Sequence, residues 1–154
     1  MAIWQFSIIL IPQKWAAENK YDPSLLYGED GYDTETAWKE NQPAKDFADI
    51  LSNMLPPAKS WHLDLLCWGN EKGHDIQVWN ENGAIDGIHV RLALNLDLKS
   101  ILTSLVTMAK KLDCVFFYPE LKKITQADEF ELKSAVLKSS AERFVKNPRD
   151  FPKD

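Results

Sequence analysis

The sequence predicts an α+β fold: a mainly antiparallel sheet of about five strands with helices packed on one face, close to a split βαβ plan. Three observations lead there. Residues 63–95 read as a three-stranded antiparallel meander. Apolar strand-like runs stand alone at Ile3–Ile11 and Cys114–Tyr118. Segments with helical periodicity fall between and after these strands rather than alternating strictly with them. A chain of 154 residues is long enough to bury its own core, and one domain spanning 1–154 is expected.

Ile3–Ile11 (IWQFSIILI) begins with alternation and becomes wholly apolar, as a covered central strand does; Pro12 ends it. Gln13–Asn19 reads as a short helix that lays Trp15 on the sheet. Tyr21–Glu35 (YDPSLLYGEDGYDTE) reads as a loop, with five acids, three tyrosines and no basic residue. Its acids lack the alternate spacing of a calcium loop. Pro43–Leu55 predicts a helix with Phe47, Ile50, Leu51 and Met54 on one stripe, stopped by Pro56-Pro57. Ser60–Trp68 predicts a strand centred on Leu63–Trp68, with Trp38, Trp61 and Trp68 read as core or half-buried.

The hairpin at Gly73–Leu94 (GHDIQVWNENGAIDGIHVRLAL) organises the rest. A regular ladder off a two-residue Asn82-Gly83 turn would scatter its aliphatics over both faces. A three-residue loop, Glu81-Asn82-Gly83, pairs Ile76 with Ile88 and Trp79 with Ile85. That register sends Ile76, Val78, Ile88, Val90 and Leu92 to one face. The other receives Asp75, Gln77, Trp79, Ile85, His89 and Arg91, with Asp75 opposite His89. Asp97–Leu112 predicts a helix, capped by Asp97 and closed by Lys110 and Lys111. Cys114–Tyr118 is an apolar strand. Asp128 and Glu131 make a capping box for a last helix that Asn147-Pro148 ends.

Net charge is −5, which argues against direct nucleic-acid binding. The acidity is uneven: residues 1–109 hold 15 acids and 8 bases, and residues 110–154 hold 8 and 10. No run approaches the roughly 20 apolar residues of a membrane span, and no signal peptide is visible. Two cysteines, Cys67 and Cys114, read as buried reduced thiols, so a cytoplasmic protein is expected. There is no nucleophile elbow, phosphate-cradling glycine loop or zinc-ligand spacing. No metal, cofactor or catalytic residue is assigned.

Two groups of residues remain as a candidate surface. One is the acidic-aromatic loop, with Tyr27, Glu29, Asp30, Tyr32 and Asp33. The other is the polar sheet face, with Trp79, His89 and Arg91. Acids steer a basic partner, and aromatic and arginine side chains are the usual contact anchors. Competing readings are a small-ligand or catalytic site around Asp75, His89 and Arg91, and a self-associating domain whose exposed tryptophans pair.

Four segments, WQFSIILIP, DIQVWNENGAIDGIHVRLAL, CVFFYPE and SSAERFVKNP, together resemble the small bacterial immunity proteins encoded beside polymorphic toxins. The resemblance implies a cytoplasmic, often acidic inhibitor that plugs a toxin's active site or binds beside it, with a basic toxin domain as partner. It carries over no catalytic residue.

Overall fold

The structure, a computed structural model, describes residues 2–146. Seven strands form one sheet: β1 Gln5–Pro12, β4 Pro57–Ala58, β5 Leu65–Gly69, β6 Asp75–Glu81, β7 Ala84–Ala93, β8 Cys114–Tyr118 and β9 Lys123–Thr125. A separate two-stranded hairpin pairs β2 Tyr27–Gly28 with β3 Gly31–Tyr32. The sheet order is β4-β5-β6-β7-β1-β8-β9, and every neighbouring pair is antiparallel. The fold is therefore α+β, with two more sheet strands than the sequence indicated. The additions are β4 and β9, two and three residues long, too short to carry a hydrophobic period.

β1 sits between β7 and β8 and is antiparallel to both, so β7 and β8 run parallel to each other. The helix α4 (Lys99–Lys111) connects them across the inserted strand, which is the split βαβ plan. The unbroken apolar run Ile8–Ile11 follows from this position. A central strand covered on both faces has no side on which to place polar residues, and all four residues are fully buried.

One face of the sheet is covered throughout. Phe6, Ile8, Leu10, Ile76, Val78, Ile88, Val90 and Leu92 pack there against α3 (Phe47–Ser52), α4, α5 (Glu129–Leu137) and α6 (Ser140–Lys146). The apolar stripe of α4, Ile101, Leu102, Leu105 and Ala109, is buried as its periodicity predicts. The second face is not bare, as helices on one side only would leave it. Ile9, Ile11, Val115, Phe117 and Ile124 are buried there beneath α1 (Gln13–Glu18), a 3-10 turn at Pro23–Leu26 and the β2–β3 hairpin. That covering extends past β1 onto part of β7, where Tyr32 lies on His89 and Thr34 and Gln42 are bonded to Asp86 and Ile85, and leaves the second face half-exposed over β5, β6 and the rest of β7.

Four local readings change. The helix expected over Pro43–Leu55 is regular only at Phe47–Ser52, though Phe47, Ile50 and Met54 still pack beside buried Leu51. The strand expected from Ser60 starts at Leu65, and residues 59–64 form a turn. The last helix is two helices. Buried Ser139 accepts from the Glu142 N–H and donates to the Val136 carbonyl, so it caps the second helix and breaks the first. Asp128 does cap α5, accepting from the Glu131 N–H at 2.8 Å. Asp97 instead bonds the Lys99 N–H, one turn-residue before a helix whose N-cap is Leu98. The expected stop at Asn147-Pro148 lies outside the described residues.

The hairpin register also differs. Asn82 and Gly83 have φ of 53° and 81°, and they make the two-residue turn after all, with Glu81 opposite Ala84. A bulge between Trp79 and Asn80 then shifts the ladder, placing Val78 opposite Ile88 and Ile76 opposite Val90. The bulge does what the longer loop was invoked to do: it restores the aliphatics of both strands to one face. It absorbs Asp86 as the extra residue and turns Ile85 inward, where it is 5% exposed rather than on the polar face.

Candidate functional site

The half-exposed region carries, strand by strand, Leu65 and Cys67 on β5, Asp75, Gln77 and Trp79 on β6, and Gly87, His89 and Arg91 on β7. Its floor is set by the ladder. Asp75 lies directly opposite Arg91, and Gln77 lies opposite His89. The expected Asp75–His89 pairing is therefore wrong by one rung pair, because the bulge moves β7 by two residues relative to the three-residue loop. Arg91 donates from Nε to Asp75 Oδ1 at 2.8 Å and from Nη2 to Asp75 Oδ2, so both carboxylate oxygens are engaged by one guanidinium. Asp75 is 4% exposed, and the charge is balanced in place. It neither orients nor polarises His89.

His89 lies half-buried under the ring of Tyr32, with centroids 6.5 Å apart. Its pKa is lowered from 6.5 to about 4, first by burial and then by the Arg91 cation, with Asp33 opposing both. A ring so held is neutral and a poor proton acceptor near pH 7. The space above it depends on Gly87. A Cβ there would stand 2.9 Å from His89 Nε2 and 3.2 Å from Thr34 Oγ1.

Tyr21–Glu35 is folded onto the sheet rather than projecting as a free loop. Tyr27 and Tyr32 face each other across the hairpin and stand edge-on to Phe117, at 6.1 and 5.5 Å. The Tyr27 hydroxyl reaches the Pro119 carbonyl and Lys122 stands over its ring. Tyr27 thus packs the second face more than it offers contact area. Glu29 and Asp30 form the exposed hairpin tip, and Tyr32 stays 37% exposed. Asp33 is exposed, and its carboxylate accepts from the Glu35 N–H at the start of α2 (Glu35–Trp38). This unit is tied to β7 where β1 no longer pairs with it. Thr34 Oγ1 donates to the Asp86 carbonyl at 2.8 Å. The Gln42 amide donates to the Ile85 carbonyl and accepts from the Ile85 N–H. Side chains thereby complete the backbone bonds that a strand would otherwise make.

That docking brings acids together. Asp86, the bulge residue, has its pKa raised by burial and then by Asp33, Glu35 and Glu81 around it. None of these four enters a salt bridge among the described residues. Across the bulge lies Trp79, half-buried, whose ring meets Trp61 at 5.7 Å and His62 at 5.6 Å. Trp61 is 66% exposed, against its expected core or half-buried place, and Leu63 is 100% exposed. Sequence reasoning missed these two residues because it extended β5 back to Ser60. The signal was there in Ser60, His62 and Asp64, polar residues at alternate positions that hydrogen-bond locally in turns. Below Trp61, a groove of about 240 Å³ runs along Ala58, Cys67, Gln77, Asp75 and Glu71. It includes neither His89 nor Arg91.

The candidate surface therefore has Trp61, His62, Leu63 and Trp79 on one side and the carboxylates of Asp33, Glu35, Glu81 and Asp86 on the other. His89 and Arg91 follow along β7 on the rungs beyond the Trp79–Gly87 pair, opposite Gln77 and Asp75. Free Cys67 is half-buried, with its thiol pKa raised by burial. Cys114 is buried in the core and pushed up more strongly. Among the described residues no helix is long and apolar enough to cross a membrane. Nor does any group of three or more His, Cys, Asp or Glu side chains there have the arrangement of a metal site. No protein-family model, curated protein or solved structure matches the chain.

Proposed function

We propose that this protein is a non-catalytic binding module that takes a cationic protein partner on the uncovered half of its second sheet face. We further propose that it acts in the cytoplasm as an immunity protein, neutralising a bacterial toxin domain. One observation carries the binding reading. Four carboxylates without an ion-pair partner among the described residues, one of them with its pKa raised by burial and then by the other three, lie across the β7 bulge from the Trp61–His62–Trp79 aromatic cluster. Crowded like charges destabilise the free protein, and a basic partner relieves them while the aromatic rings supply apolar contact. The toxin reading rests on the resemblance of the four sequence segments to immunity proteins.

The small-ligand or catalytic alternative has less support. Asp75 is saturated by Arg91, His89 is held neutral, and the groove at Asp75 does not reach the other two residues. Self-association has like charges to overcome, and light scattering across a concentration series tests it. The test of the main reading uses the toxin domain that this reading expects to be encoded beside the chain's own gene. Titration calorimetry should give a 1:1 complex, and toxin activity should fall in proportion to the protein added. Full toxin activity at a tenfold excess of the protein would overturn it.

A further inference from the structure

Residues 59–64 are an ordered device for holding two apolar side chains in water. Ser60 Oγ donates to the His62 carbonyl at 2.7 Å and accepts from the His62 N–H at 3.1 Å. His62 Nδ1 accepts from the Asp64 N–H at 3.0 Å. The Leu65 N–H bonds back to the His62 carbonyl, and the Asp64 carbonyl takes the Asn80 N–H, fastening the turn to β6. The Ser60 and His62 side chains are thus occupied with the turn's own backbone. The residues between them, Trp61 and Leu63, point out at 66% and 100% exposure. Trp61 is also braced by Trp79 and His62, with rings at 75° and 79° to its own. Scattered exposed apolar residues are ordinary, but here two lie within three positions on a turn fixed by five hydrogen bonds. An anchor already ordered loses little freedom on binding.

Charge selects the occupant. Asp64 belongs to the turn, Glu71 lines the groove below Trp61, and Glu81 ends the strand that carries Trp79. The Asp33–Glu35–Asp86 group continues the negative field across the bulge, while Lys59 is the one cation lining the groove. A second copy of the chain in a two-fold contact would bring this acidic face against itself. An anionic lipid surface would be repelled. A cationic-apolar protein segment satisfies both features, because a guanidinium or ammonium stacks on an indole face and is held by nearby carboxylates.

We infer that Trp61, backed by Trp79 and flanked by Leu63, is an anchor that takes an arginine or lysine side chain from an alternating cationic-apolar segment of a protein partner. The assignment rests on the binding reading above and specifies which residue of that face reads the partner's charge.

The test uses a defined probe: an acetylated pentapeptide of alternating arginine and leucine, with its citrulline counterpart as neutral control. The six tryptophan indole N–H signals report the site. Titration should move the Trp61 and Trp79 signals saturably, with roughly tenfold weaker binding for the citrulline peptide and weakening with salt. Trp61→Ala should abolish the Trp79 shift while the Trp4, Trp15, Trp38 and Trp68 signals stay in place, showing an intact fold. Unmoved signals, equal binding of the two peptides, Trp61-dependent dimerisation in sedimentation, or Trp61-dependent binding to vesicles would each overturn the anchor. If the peptide binds at Trp61 but the toxin domain does not bind at all, the anchor stands and the toxin reading falls. If the toxin domain binds Trp61→Ala as tightly as the wild type, the anchor falls and the partner reading stands.

Discussion

His89 makes a quantitative demand on the pH dependence of stability. Its folded-state pKa is lowered from 6.5 to about 4, chiefly by burial under Tyr32 and then by Arg91. Folding therefore favours the neutral ring. Above pH 6.5 both states are neutral and the full stability is present. As the pH falls below 6.5 the unfolded chain takes up the proton first, and stability is lost until the folded ring also protonates near pH 4. At pH 4.5 the lost stability is about 2.5 kcal/mol, and residual solvent contact at the ring brings it nearer 2 kcal/mol. Urea unfolding of wild type and His89→Gln at pH 7.5 and pH 4.5 isolates this term, because other titrating groups appear in both proteins. His74, also lowered by burial and with Nδ1 accepting the Ala93 N–H, is one of them. The wild-type midpoint should drop between the two pH values by roughly 1 M urea more than the variant's. Equal drops would refute the burial of His89, as would a His89 ring signal in NMR titrating near pH 6.5.

Four further outcomes are expected. Asp75→Asn should cost about 3 kcal/mol in urea unfolding, since it leaves Arg91 half-buried without its counter-charge; Asp75→Leu combined with Arg91→Met should recover much of that loss. Gly87→Ala should lower stability by about 1–3 kcal/mol, because the new methyl meets His89 Nε2 at 2.9 Å, and a melt unchanged from wild type would refute that crowding. Gly83→Ala should cost about 1 kcal/mol through its φ of 81°, with nothing in space to clash, as chemical unfolding can check. Trp61→Ala and Leu63→Ser should each leave stability within about 0.5 kcal/mol of wild type, and a larger loss would mean the turn is part of the core.

The sequence was most legible where one strong period ruled. The run at Ile8–Ile11, the stripe of α4 and the Asp128 cap each have a single physical reading, and each is where it was expected. The inward aliphatic face of the hairpin was also readable, because a slip of one residue would have exposed it. The means of keeping that face was not. A longer loop and a two-residue turn with a bulge satisfy the same pattern, and only the twist match of Asn82-Gly83 distinguishes them. Ile85 and the Asp75–Arg91 pair moved with that choice. The site was legible by residue type more than by role. Tyr27, chosen for contact, packs against Phe117, while Trp61, expected in the core or half-buried, is exposed. Both placements turn on which side of a non-periodic segment faces the sheet. That is decided by long-range bonds such as Thr34 to the Asp86 carbonyl, 52 residues apart, which leave no local pattern.

The central claim is that the acidic hairpin and the open half of the sheet together form one contact surface for a basic protein. The most direct measurement is the association rate constant with the proposed basic partner as a function of salt, for wild type and for Glu29→Ser/Asp30→Ser/Asp33→Ser. The triple variant should associate several-fold more slowly at low salt, with a flatter salt dependence and an unchanged fold. Identical rates and identical salt slopes would place the partner elsewhere on the protein.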